Sequence, residues 1–103
     1  MSKGESARVV HLTVSGLVQG VGYRAWCAHE ARSRALAGWV RNRANGRVEA
    51  VFAGPADQVD AMVAACRAGP SGARVDDALV HEVTLAALAA GGGDGEFVVL
   101  PTL

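Results

Sequence analysis

An α+β sandwich, with two helices packed on one face of an antiparallel sheet, is the fold class that this 103-residue sequence predicts. Three observations carry that reading. β-branched residues alternate with others in "RVVHLTVSG" and "RVEAVFAG", two further stretches repeat apolar residues at helical spacing, and an Asn-Gly pair joins two of the strands. Half of the residues are hydrophobic, enough for one core, so a single domain over 1–103 is expected, with 1–7 flexible.

The elements follow in order. Val10, Leu12 and Val14 fall on one side of a first strand from Arg8 to Gly16, with Val9, His11 and Thr13 on the other. A helix starting near Gly22 places Tyr23, Cys27, Ala28, Ala31 and Ala35 on one arc, a face of mostly small residues that lets it sit close to a sheet. "LAGWVRN" and "RVEAVFAG" flank Asn45-Gly46, which readily takes the positive φ angles of a tight turn, so these two strands are antiparallel neighbours. Pro55 opens a second helix in which Val59, Met62, Val63 and Cys66 recur at i, i+3, i+4 and i+7, and Gly69-Pro70 stops it. Val75 and Val83 suit a strand around 74–83, whereas the later "TLAALAA" suits a helix equally well. "GGGDG", from Gly91 to Gly95, reads as a flexible loop before a last short strand, "EFVVL". This order is the split βαβ plan (β-α-β-β-α-β) of ferredoxin-like domains.

Ten basic residues balance ten acidic ones, so no global field draws the chain onto nucleic acid or anionic membrane. "MSKGESARVV" lacks the apolar core of a leader, and no run is long enough to span a bilayer; a cytoplasmic location is expected. Cys27 and Cys66 are read as reduced, buried side chains without chemistry. His11, His29 and His81 show neither HExxH nor paired spacing, so no metal site and no cofactor are expected. Asp76 and Asp77, adjacent on a strand, point to opposite faces rather than forming an acid and base pair. Arg41, Arg43 and Arg47 surround the hairpin and are read as solubilising charges split between the two faces.

The chemistry concentrates in "VSGLVQGVGYRAW", Val14 to Trp26, where three glycines lie between a strand and a helix. A Gly-rich turn points successive backbone N–H groups at one spot, the helix N-terminus adds partial positive charge, and Arg24 in the first turn adds a bidentate grip. Phosphate fits such a place. The stretch matches neither a P-loop nor the dinucleotide fingerprint. A second stretch, "GWVRNRANGRVEA", ends a strand on Asn42, whose amide both donates to an oxygen and accepts from water.

Together, in this order and separation, the two stretches resemble the signature segments of acylphosphatases. Gly69-Pro70 and "EFVVL" also sit where that family has a comparable Gly-Pro and final strand, so the resemblance covers nearly the whole chain. It implies hydrolysis of an acyl phosphate to a carboxylate and inorganic phosphate, without metal or organic cofactor. Arg24 would bind the phosphate, Asn42 would orient the attacking water, and the loop Val18, Gln19, Gly20, Val21, Gly22 and Tyr23 would cradle the phosphate with its amides.

The chain departs from related sequences at Tyr23, where Phe is frequent and where a buried hydroxyl needs a partner. It departs again at Arg34-Ala35, where Leu-Gly is frequent; Ala lacks the easy left-handed helix stop of Gly, and Arg34 would bury only its stem. The third departure is the long Gly91–Gly95 tract, which leaves the register of the last strand open. The rival functional reading is an auxiliary, non-catalytic domain that binds phosphate or carbamoyl phosphate within a larger assembly. An RNA-recognition domain shares the element order, but "RVEAVFAG" offers only one aromatic for base stacking. The expected partner is a small acyl phosphate and the expected state a monomer.

Overall fold

The computed structural model describes residues 6–93 and 95–103. Five strands and two α-helices alternate as β1 (Ala7–Leu17), α1 (Tyr23–Ser33), β2 (Ala37–Asn42), β3 (Val48–Pro55), α2 (Ala56–Ala68), β4 (Arg74–Glu82) and β5 (Phe97–Val99), with a 3₁₀ helix (Leu85–Gly91) before β5. The flexible stretch expected over 1–7 lies outside the described residues as far as residue 5, and Ala7 already belongs to β1. Asp94 of the Gly91–Gly95 loop is likewise outside them.

The sheet order is β4-β1-β3-β2-β5. The first four strands pair antiparallel, as expected, but β5 lies parallel to β2, so the sheet is mixed. The reason is topological. β4 runs opposite to β2, and the connection after it reverses once while crossing to the far edge, so β5 arrives running with β2. The 3₁₀ helix in this connection packs on the face away from the α-helices, where Trp39 Nε1–H donates to Ala87 O at 2.8 Å. Both readings of the ambiguous stretch therefore hold, strand first and short helix after it.

On the helix-covered face the period of two places Val10, Leu12 and Val14 opposite Phe52, Ala50 and Val48, all buried. Against them pack Cys27, Ala28 and Ala31 of α1 and Val59, Met62 and Cys66 of α2, with Phe97 stacked on Phe52 at 5.5 Å. Ala35 is not on the α1 arc. The helix stops at Ser33, and Ala35 takes φ 56°, the left-handed value, with its N–H donating to Arg32 O and that of Leu36 to Ala31 O. That is the Schellman arrangement in which glycine usually sits. Arg34 is partly buried and pairs its head with Glu30 at 2.6 Å. Cys27 and Cys66 are buried and unpaired by disulfide.

The opposite face carries a charged cluster that corrects the reading of the hairpin arginines. Arg41 and Arg43 are two apart in sequence, so they share a face, and both donate to Glu49 Oε1, at 2.9 and 3.1 Å. His11 Nε2 meets Glu49 Oε2 at 2.6 Å. Burial works to raise the Glu49 pKa, but hydrogen bonds and charge from His11 and Arg41 outweigh it and hold the carboxylate below its ordinary range. Arg41 also lies over the Trp39 ring, 4.7 Å from its centre. Asp76 and Asp77 are both exposed on the β4 edge.

Candidate active site

The three glycines of the β1–α1 stretch serve two different ends. A Cβ on Gly16 would lie 2.3 Å from Arg74 O, so this glycine lets β1 bulge tightly against β4 and takes no part in the site. Gly20 and Gly22 are different. They hold φ 75° and 81°, and nothing lies within 4 Å of the place where a Cβ would stand. Both therefore serve the loop conformation and face open space, where a ligand can approach the backbone. Among the described residues, none of the amides of 19–22 donates to another group.

Gly22 is the N-cap of α1, with no side-chain cap and no acidic residue in the first turn. The first-turn amides and the positive end of the helix dipole are thus left for an external anion. Val18 and Val21 anchor the loop from below, the first buried in the core and the second packed against it. Tyr23 is buried, and its hydroxyl donates to Cys66 O at 2.7 Å. Cys66 lies in the last turn of α2, where carbonyls lack helical partners, so the hydroxyl that distinguishes Tyr from Phe caps that helix. Burial, with the neighbouring thiols adding, pushes the phenol well above its usual range.

Arg24 makes one hydrogen bond among the described residues, at 3.5 Å from Nη1 to Leu100 O, leaving most of the donors of its guanidinium fork available. Asn42 closes β2, held by Leu103 N–H donating to its backbone oxygen at 3.1 Å. Its side-chain Oδ1 is buried and accepts no hydrogen bond. Leaving a buried acceptor unmet costs about 1–3 kcal/mol, so this amide is poised for a donor.

Gly20, Gly22, Tyr23, Arg24 and Asn42 line one cavity of about 300 Å³, together with Val18, Ala25 and Val99. The structure thus joins the two sequence stretches at one cavity. Gln19 and Val21 do not line it; the Gln19 side chain turns instead to the β2–β3 hairpin. Ala25 and Val99 were missed. Ala25 follows from one more residue of helix, but Val99 reaches the cavity only because β5 pairs with β2, which no local pattern announces. Among the described residues no carboxylate lines the cavity, so an anion there meets amides, one guanidinium and one neutral amide side chain. Among the described residues no three His, Cys, Asp or Glu side chains gather as a metal site.

A family model described as Acylphosphatase matches residues 10–88. An acylphosphatase of Rhodopseudomonas palustris is 46% identical over 98 residues, 95% of this chain and 99% of the relative. One from Azorhizobium caulinodans is 61% identical over 67 residues, covering 65% of this chain and 72% of the relative. The solved structure of an acylphosphatase from Coxiella burnetii superposes with a TM-score of 0.82 at 31% identity, over 97% of this chain and 100% of that one.

Proposed function

The chain belongs to the acylphosphatase family, and from that premise we propose that the cavity between the β1–α1 loop and Asn42 is where an acyl phosphate is hydrolysed. The activity is cleavage of the carboxyl–phosphate bond, releasing a carboxylate and inorganic phosphate. The observation that carries the site is the convergence of Gly20, Gly22, Arg24 and Asn42 on one cavity from two separate stretches of chain.

In this reading the amides of Gln19 to Gly22 and of the first turn of α1 hold the phosphoryl oxygens. Arg24 grips two of them through its fork in both ground and transition states. The Asn42 amide orients a water, whose oxygen attacks phosphorus opposite the acyl oxygen. The P–O bond to the acyl group breaks, its electron pair leaves with the carboxylate, and the water's proton passes to a phosphate oxygen. A carboxylate is a good leaving group, so positioning and charge stabilisation suffice without a general base.

The auxiliary-domain reading is not favoured, because the chain matches a separate acylphosphatase over 99% of that protein's length. Nor is RNA recognition: the Phe of β3, Phe52, is buried toward the helices. No described helix is long and apolar enough to cross a membrane. We place the enzyme in the cytoplasm as a monomer, working without metal.

The test is phosphate release from benzoyl phosphate beside p-nitrophenyl phosphate, each with and without chelator. Turnover of the first alone, unaffected by chelator, is expected. Equal rates on both, or loss on chelation restored by a divalent ion, would refute the mechanism.

A further inference from the structure

The Gln19 side chain stands apart from the phosphate chemistry that its loop performs. Its Nε2 donates to Arg43 O at 2.8 Å and to Arg47 O at 2.9 Å. Both partners are carbonyl oxygens, which only accept, so the NH2 end must face them and both of its hydrogens are used. Gln19 therefore has no side-chain donor left for a phosphate.

The two carbonyls are not arbitrary points on the hairpin. Arg43 and Arg47 are the residues that close it, with Arg43 N–H donating to Arg47 O at 2.8 Å, and Arg43 directly follows Asn42. One amide thus bridges both legs of the hairpin at the end of the strand that carries Asn42. Val18 and Val21 seat this loop on the core, and the Gln19 side chain adds its polar tie to the hairpin: the backbone amides of 19–22 make no hydrogen bond to described residues, and Gly20 and Gly22 carry no side chain.

We propose that Gln19 is a positioning residue, whose side chain fixes the phosphate loop relative to Asn42 and so sets the alignment of water with phosphorus. This rests on the roles assigned above to the loop and to Asn42. The consequence is a division within one residue: its backbone amide belongs to the cradle, and its side chain sets the geometry between cradle and water. In-line attack tolerates little misplacement, an ångström costing about 10²-fold in rate, so a tether between the halves acts on turnover more than on binding.

The test is a double-mutant cycle with benzoyl phosphate as substrate and inorganic phosphate as inhibitor. Gln19→Met keeps the length but cannot donate; Gln19→Asn keeps the amide but is one methylene too short to span. Each is first shown folded by circular dichroism and melting. Either folded variant should lose about 10-fold or more in kcat, while the inhibition constant of phosphate stays within about twofold. In an Asn42→Ala background the same change should alter kcat by less than about twofold, because the positioned group is gone.

Unchanged kcat in both folded variants overturns the proposal. So does a phosphate constant that rises as much as kcat falls, which would make Gln19 a ligand or mere loop support. Full multiplication of the two losses in the double mutant does the same. Failure of the underlying reading has its own signature: Asn42→Ala alone would turn over near the wild-type rate.

Discussion

The two walls of the cavity are built on opposite plans. The β1–α1 loop presents backbone: glycines at positive φ, amides without partners among the described residues, and a helix end with no side-chain cap. The β2–β3 hairpin is braced by side chains, with Glu49 gathering Arg41, Arg43 and His11, and Asn45 Oδ1 accepting from Arg47 N–H at 3.1 Å. In the proposed mechanism the difference matches two tasks. A phosphoryl group is nearly symmetrical and is held by many equivalent donors, so backbone suffices. A single water must be aimed, and that requires one side chain held still.

The largest effects should come from removing the one side chain that each wall is proposed to bring to the chemistry. Arg24→Ala is expected to lose about 10³-fold in kcat/KM together with inhibition by phosphate, and Arg24→Lys should remain impaired because an ammonium lacks the planar fork. Asn42→Ala is expected to lose about 10²-fold in kcat while phosphate inhibition persists. Steady-state kinetics on variants shown to be folded check both. If Arg24→Ala binds phosphate normally, or folded Asn42→Ala turns over at the wild-type rate, the division of labour between the walls is wrong.

The backbone wall is probed next through Gly20→Val. A β-branched residue at φ 75° is strained whatever the space around it, and its side chain would stand where the ligand approaches. Sulfate or phosphate should raise the wild-type Tm by linkage, and that rise should vanish in the variant. An equal rise in both proteins would mean that the salt acts on the whole surface and not at the loop.

Much of this was legible beforehand, for identifiable reasons. Val10, Leu12 and Val14 alternate cleanly, Asn45-Gly46 names its own turn, and the α2 positions keep strict helical spacing, so the order of elements along the chain, the β2–β3 pairing and much of the core followed from local pattern. Arg24 and Asn42 were recognisable by resemblance to a family, and the structure brings them to one cavity. What escaped was non-local. Three-residue β5 follows a glycine tract, so its pairing with β2, and with it Val99, is set by the 3₁₀ helix seated under Trp39. The destination of the Gln19 side chain depends on two carbonyls more than twenty residues away. Arg43 belongs to the turn by sequence, yet its side chain follows the strand period into the Glu49 cluster.

The side-chain wall should show itself in acid. Glu49 has a folded-state pKa below its ordinary 4.5, so its contribution is fully present above that value and is lost as pH falls through the lowered folded pKa. Glu49→Gln should therefore melt below wild type at neutral pH, and the gap should close as pH drops under about 4.5. The phosphate-induced rise in Tm should survive this substitution, because the loop wall is untouched. A gap that is constant with pH would mean that the cluster stabilises by packing alone.

The smallest expected effect lies at the other end of α1, where positive φ serves no ligand. Gly22 opens the helix at φ 81° beside the cavity; Ala35 follows its C-terminus at φ 56°, exposed and remote from the lining residues. An L-residue in this conformation costs about 1–2 kcal/mol relative to glycine, partly offset by the greater freedom that glycine has when unfolded. Ala35→Gly should thus stabilise by about 0.5–1 kcal/mol, a rise in Tm of about 4 °C for a domain of this size. Its kcat and phosphate inhibition should not move. Thermal melts and the benzoyl phosphate assay on the same preparation decide it. A stabilised variant with unaltered kinetics confirms that positive φ at Ala35 is only a helix stop. A change in turnover would mean that the two ends of α1 are coupled, and that the backbone wall extends through the helix rather than ending at its first turn.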